Sequence, residues 1–290
     1  MIDKLTDISQ RIRRNIAQRG VRNAMNNIVR RIRAGNFSTA PAAPLVLDEV
    51  HPFDEATGLN TSGYIHGSQL QSGHPNDLYS VAYYSSSPSL AQGILDRWRE
   101  TPEIRPLEEY TFIDFGSGKG RVVLIAAKLP FRMCIGVELN PGLSTVAAEN
   151  MTRWQESGHA VSPMQALCQS ATEFQFPDTP CVIYLYNPFT TTVMTEFLDH
   201  IARSFAGRPG ELDFLYVNPE FDALLQQHPG FARLWDGDIM MNAEDSANDL
   251  LKVVDKHRNR APGELLHEYC TAWRWIGSPT KHSVRPHDQA

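Results

Sequence analysis

An α/β fold, with a parallel sheet covered by helices on both faces, is the class this sequence predicts. Two patterns point to it. From residue 110 onward, apolar runs of five to seven residues alternate with helical stretches. One of those runs also ends in a glycine-rich turn that opens a helix. With 290 residues, 42% apolar and 21% charged, the chain can bury a sizeable core without disulfide or metal staples. That balance excludes wholesale disorder and a fibrous repeat.

The first element is a basic amphipathic arm over residues 1–33. Leu5, Ile8, Ile12 and Ile16 recur at spacings of three and four, and Ile28, Val29 and Ile32 repeat the pattern. Gly20 divides the arm into two helices. Residues 1–35 carry nine Lys/Arg against two Asp, a balance of +7, so the remainder carries −13 of the net −6. A basic head on an acidic body suggests a partner of its own. It would pack on the body or on a second subunit, or lie on an anionic membrane surface; nucleic acid and targeting are further options. Arm and linker occupy 1–45, a cap or lid segment 46–100, and the α/β domain 101–290.

Residues 34–62 read as linker, and 63–87 stay polar up to Tyr83-Tyr84-Ser85-Ser86-Ser87-Pro88. Ser87 and Pro88 form an N-cap and first-turn pair, so a helix runs from there to about Arg99. Strands are expected at Tyr110–Phe115, Arg132–Glu138, Ser162–Cys168, Cys181–Tyr186 and Asp213–Val217. Helices are expected at Arg121–Leu129, Gly142–Trp154, Thr191–Phe205 and Glu220–Gln227. Phe231–Ile239 and Glu268–Trp275 form a final strand pair around a loop and helix over Met240–Asp255.

The longest apolar runs, such as Val122–Ala127, fall far short of the roughly 20 residues of a membrane span. No signal-peptide core opens the chain, and a cytoplasmic protein is expected. Cys134, Cys168, Cys181 and Cys270 form no C-x-x-C pair and lie in or beside apolar stretches, the pattern of buried reduced thiols. The ten histidines show no metal-ligand spacing, so no metal site is expected.

The informative segment is Phe112-Ile113-Asp114-Phe115-Gly116-Ser117-Gly118-Lys119-Gly120-Arg121. Such a loop lets a ligand lie against bare backbone, and its amides favour an anionic group. It lacks the G-x-x-x-x-G-K-[ST] of a P-loop and is one residue short of the dinucleotide G-x-G-x-x-G. Asp114 sits where the strand meets the loop, at the carboxyl end where open α/β sheets bind ligands. An acid there suits a ligand carrying an ammonium and a sulfonium, as S-adenosylmethionine (SAM) does, and repels a pyrophosphate. The next strand ends in Glu138, which can accept from two ribose hydroxyls. The third ends at Cys168-Gln169-Ser170-Ala171, positioned for an adenine.

The segment Asp114–Asn150 resembles motifs I and II of the class I (seven-strand, Rossmann-like) SAM-dependent methyltransferases. The run Gly116-Ser117-Gly118-Lys119-Gly120-Arg121, then Gly136-Val137-Glu138-Leu139-Asn140-Pro141, is similar to a bacterial branch whose fourth strand ends in Y-N-P-F, here Tyr186-Asn187-Pro188-Phe189. That branch also carries Y-x-x-S-x-P-S upstream, here Tyr83 to Ser89. A looser likeness extends to seven-strand protein-lysine methyltransferases. The resemblance covers roughly residues 50–220. It implies a seven-strand sheet with its last strand reversed and SAM as cofactor. Gly116, Ser117, Gly118 and Gly120 would line the methionine part and Asp114 would hold its amino group. Glu138 would take the ribose, Leu139 would pack on the adenine, and Gln169, Ser170 or Ala171 would meet the adenine amine.

Methyl transfer needs alignment of donor and acceptor above all, and a base only if the acceptor arrives protonated. In amino-methylating relatives a D/N-P-P-Y/F turn grips the acceptor nitrogen. Here one proline is missing, which disfavours a planar base nitrogen, though Asn187 and Phe189 would face the methyl and Asn187 the cofactor. Tyr84, with Tyr83, would form a lid or position the acceptor. Arg121 would pair with Glu138 or Asp114, or meet an anionic substrate. His66, His74 and Asp77 are base candidates by location. A protein side chain, lysine especially, or a small molecule or glycan is the expected acceptor, with nucleic acid disfavoured by the acidic body. A non-catalytic SAM-binding scaffold and a nicotinamide-dependent dehydrogenase are the alternatives.

Overall fold

The alternation of apolar runs becomes a seven-stranded sheet. A computed structural model describes residues 46–47, 50–70, 72–74, 81–249 and 265–277; the basic arm, its linker and Asp77 lie outside the described residues. The central strands are β4 (Thr111–Phe115), β5 (Met133–Glu138), β6 (Met164–Cys168), β7 (Cys181–Tyr186) and β8 (Leu212–Val217). They are followed by β9 (Phe231–Met240) and β10 (His267–Trp275). The order across the sheet is β6-β5-β4-β7-β8-β10-β9. All neighbours pair in parallel except β10, which runs antiparallel to both β8 and β9. The chain moves outward from β4 through β5 and β6, then restarts on the other side with β7. The carboxyl ends of β4 and β7 therefore flank the crevice where such sheets bind ligands.

Side chains alternate between two cores. Phe112, Cys134, Val182, Tyr184 and Leu215 pack with α2 (Pro88–Arg99), α3 (Arg121–Ala126) and α4 (Pro141–Glu156). Ile113, Phe115, Ile183, Leu185 and Phe214 pack on the other face with α5 (Thr191–Ser204) and α6 (Asp222–Gln227). Residue 114 shares the parity of Phe112, so its carboxylate falls on the α2–α4 face beside Tyr184, its Cα partner on β7.

Three expectations are corrected. Residues 50–62 are not linker: α1 (Pro52–Thr57) forms there, with Asp54 buried and Gly58 in the left-handed region at φ 67°. The expected N-cap at Ser87 holds in position only, because its hydroxyl goes to Asp249 while Asp245 accepts from the Ser89 amide at 2.6 Å. That Asp245 lies on α7 (Ala243–Asn248). Of the cysteines, Cys134, Cys181 and Cys270 are buried, but Cys168 at the end of edge strand β6 is exposed.

A second, three-stranded antiparallel sheet joins β1 (Val46–Leu47), β2 (Tyr64–Ile65) and β3 (Tyr83–Tyr84). With α1 it forms a cap over the glycine loop.

Candidate functional site

The loop after β4 is built to be approached closely. Gly116 and Gly118 have φ of 74° and 54°, in the left-handed region. A Cβ on Gly116 would stand 2.4 Å from Pro188 Cβ, and one on Gly118 would stand 2.2 Å from the Tyr83 ring. Gly120 packs against Ala147 and Met151 of α4. Of the three glycines, Gly116 faces the cavity beside the loop, whereas Gly118 is covered by Tyr83 and Gly120 by α4.

That cavity offers about 150 Å³ of water-accessible space and opens to solvent. It brings together Asp114, Gly116, Ser117, Glu138, Leu139, Gln169, Ser170, Ala171, Phe189 and Tyr84, all expected from the sequence. It also includes Ser86, Asn140, Tyr184, Tyr186 and Val193, which were not expected. Their sequence signal is slight: Tyr184 and Tyr186 read simply as strand residues, and only their place on β7 beside Asp114 aims them here.

Asp114 is 4% exposed, and among the described residues no group hydrogen-bonds or ion-pairs with it. Burial and neighbouring Glu138 push its carboxyl well above the ordinary range. The Ser117 hydroxyl is likewise buried without a partner. Glu138 is held on both oxygens, Oε2 accepting from the Gly118 amide at 2.9 Å and Oε1 from the Asn140 amide at 2.8 Å. Each oxygen keeps a second lone pair, so a diol hydroxyl can still be accepted. Burial raises the Glu138 carboxyl, opposed by these amides. Asn140 caps α4 through the Leu143 amide at 3.1 Å, which fixes the Glu138 loop to a helix start.

Arg121 takes neither expected role. It is 4% exposed and belongs to the cap. Its Nε donates to Thr61 Oγ1 at 2.6 Å and its Nη2 to Ser62 Oγ at 2.9 Å, while Asp54 lies 3.7 Å away. Its Nη1 donates to the Ser86 carbonyl at 3.4 Å. Lys119 Nζ donates to Asn60 Oδ1 and the Ser62 carbonyl at 2.8 and 2.6 Å. Asp54 completes the knot by accepting from the Thr61 and Ser62 amides, both at 2.6 Å. The two cations that set this glycine loop apart thus fasten the cap, whose Tyr83, Ser85 and Ser86 wall the cavity.

Asn187 is also corrected. It is absent from the cavity lining. Its Nδ2 donates to the Asn218 carbonyl, and its Oδ1 accepts from Tyr216 Oη at 2.8 Å and the Glu220 amide at 3.2 Å. It ties the ends of β7 and β8 together. Phe189 both lines the cavity and packs on Phe197, with ring centroids 5.1 Å apart. His66 is exposed, and neither it nor His74 lines the cavity.

No protein-family model matches the chain, and no curated protein matches it. Solved structures do. TrmN from Thermus thermophilus is similar over 65% of this chain and 49% of its own, at 18% identity and a TM-score of 0.41. The chain thus spans about half the length of that protein. An RNA methyltransferase from Salinibacter ruber, solved in complex with S-adenosyl-L-homocysteine, is similar over 70% of this chain and 99% of its own, at 15% identity and a TM-score of 0.41. A precorrin-6y C5,15-methyltransferase from Geobacter metallireducens GS-15 is similar over 64% and 87%, at 13% identity and a TM-score of 0.41.

Proposed function

We propose that this chain is a SAM-dependent methyltransferase acting on a protein side chain or a small molecule. The observation that carries the reading is Asp114: a buried carboxylate at the carboxyl end of the central strand, facing the cavity and without a partner among the described residues. A buried carboxylate without a partner is costly unless a cation meets it. The fit of the remaining groups supports SAM. Asp114 and the Ser117 hydroxyl would take the ammonium and carboxylate of the methionine part. Glu138 would accept the ribose hydroxyls, and Leu139 with the 169–171 loop would enclose the adenine.

When bound, the cofactor supplies a methyl group on a positively charged sulfur. The chain's own work is binding, orientation and exclusion of water. Tyr83, Ser85 and Ser86 close one side of the cavity, and Ser86 Oγ meets Tyr184 Oη at 2.9 Å, tying the cap to β7. Isothermal titration of SAM, S-adenosylhomocysteine (SAH) and NAD tests the reading. Micromolar binding of the first two and none of NAD is expected. Absence of SAM and SAH binding would overturn it. Asp114→Asn should weaken SAM by roughly 10- to 100-fold, since a hydrogen bond to a charged group contributes about 1.5–3 kcal/mol.

A further inference from the structure

The cavity lining falls into two chemical sets. Asp114, Ser117, Glu138 and the 169–171 loop are polar and acidic, and the cofactor takes them up on the reading above. The other set, Tyr84, Tyr186, Phe189 and Val193, is aromatic and apolar. Tyr84 and Tyr186 meet edge to face, with ring centroids 5.3 Å apart and planes at 79°. The Tyr186 hydroxyl is buried and has no hydrogen-bond partner among the described residues, lying near the Tyr84 hydroxyl but out of bonding geometry. Burial pushes both phenols up, so both stay neutral hydroxyls at neutral pH.

Charge narrows what this second set accepts. The cation in the lining is Arg121, and the cap consumes its guanidinium. Asp114 and Glu138 line the same cavity, and Glu268 and Glu220 stand close enough to Tyr84 to raise its phenol further. A phosphate or carboxylate acceptor would meet negative potential with no free counter-charge among the described residues of the lining. A planar base amine would need the side-chain amide at position 187, which the strand ends have taken. An aliphatic ammonium meets neither objection. Ring faces attract it, and a buried hydroxyl offers it an acceptor.

We propose that the methyl acceptor is a primary aliphatic amine of the lysine type, bound as its ammonium against the Tyr84 and Tyr186 rings, with an N–H donating to the Tyr186 hydroxyl. This rests on the methyltransferase reading. The ammonium first releases one proton to water. The freed nitrogen lone pair then forms the N–C bond as the S–C bond breaks, and that bond's electron pair stays on sulfur. The products are a methylammonium, a neutral thioether and the released proton. The two phenols stay neutral throughout, holding the nitrogen without acting as bases.

The test titrates n-butylammonium, n-butanol, butyrate and dimethyl phosphate into the full-length protein saturated with SAH, followed by the NMR signals of the tyrosine rings. Butylammonium should bind roughly five- to thirtyfold tighter than butanol, the span of a cation over partly desolvated rings, and the two anions should not bind. Tyr84→Leu and the conservative Tyr186→Phe should each weaken the ammonium while SAH still binds. Butanol or either anion binding as well as the ammonium, or no ammonium binding to the SAH complex, overturns the proposal. Dimethyl phosphate binding in its place would point instead to a nucleic-acid backbone. Failure of SAH itself to bind overturns the methyltransferase reading, so the two failures are told apart.

Discussion

Asp114 imposes a cost on the protein without ligand. Its folded pKa lies above the ordinary 3.8, so the native state holds a proton that the unfolded chain has released. Stability of the ligand-free protein must then fall as pH rises through that window, and Glu138 acts in the same direction. Thermal midpoints measured across pH should show this decline, and Asp114→Asn should flatten it and raise the midpoint at neutral pH. If the variant is no more stable than wild type there, Asp114 is satisfied in some other way. The same substitution should weaken cofactor binding, a trade of function against stability at one side chain. Binding of the cation should in turn strengthen as pH rises and Asp114 ionises.

At the scale of elements, the cap is fastened by the buried Arg121–Asp54 pair together with the hydrogen bonds of Lys119 and Asn150. Asp54→Ala would leave the Arg121 guanidinium buried beside Thr61 and Ser62 without its counter-charge, at a cost of about 3–5 kcal/mol. Proteolysis of the cap should speed up while the sheet resists. The double variant with Arg121→Met should recover part of the loss, because no charge is then buried alone. Cleavage in the cap at an unchanged rate in Asp54→Ala would show that it is held by other means. Gly118→Ala should release the cap by another route, since its Cβ would strike the Tyr83 ring.

Elements also show what was legible in the sequence. Strands β4, β5, β7 and β8 are buried on both faces, so each appears as a mainly apolar run with its ends near the expected residues, whereas edge strand β6 is half exposed. That Asp114, Glu138 and the 169–171 loop meet at one cavity was legible because strand ends are where such sheets place ligand groups. The cap was not. Its partners lie far along the chain: Arg121 is 60 residues from Thr61, and Asn150 is 90 from Asn60. A polar stretch satisfied at that distance is indistinguishable from linker. Asn187 shows a different limit, because its position followed from the pattern while the direction of its amide depends on the turn after β8.

For the whole molecule, one polar cluster joins the far side of the sheet. Asp213 on β8 is 1% exposed and accepts from Trp98 Nε1 of α2 at 2.8 Å and from Arg274 Nε of β10 at 2.7 Å. The reversed strand is thereby locked to the parallel half and to α2. Arg274→Ala should lose about 3–5 kcal/mol. At roughly 2–4 °C per kcal/mol for a domain of this size, the midpoint should fall by roughly 10 °C. Calorimetry should show one transition at the lower temperature. A shift within about 1 °C would mean that solvent reaches Asp213 and replaces the guanidinium.

The cap precedes everything that holds it. A ribosome adding about 5–20 residues per second delivers Asn60 roughly 5–18 s before Asn150. Asp54 has no Arg121 to meet until 67 further residues are made, Asn60 no Asn150 amide until 90, and Tyr83 no Gly118 to lie on until 35. The segment must wait, extended and polar, for a surface that does not yet exist. The polar Asn60-Thr61-Ser62 stretch, which gave it the look of linker, is also what keeps it hydrated while it waits.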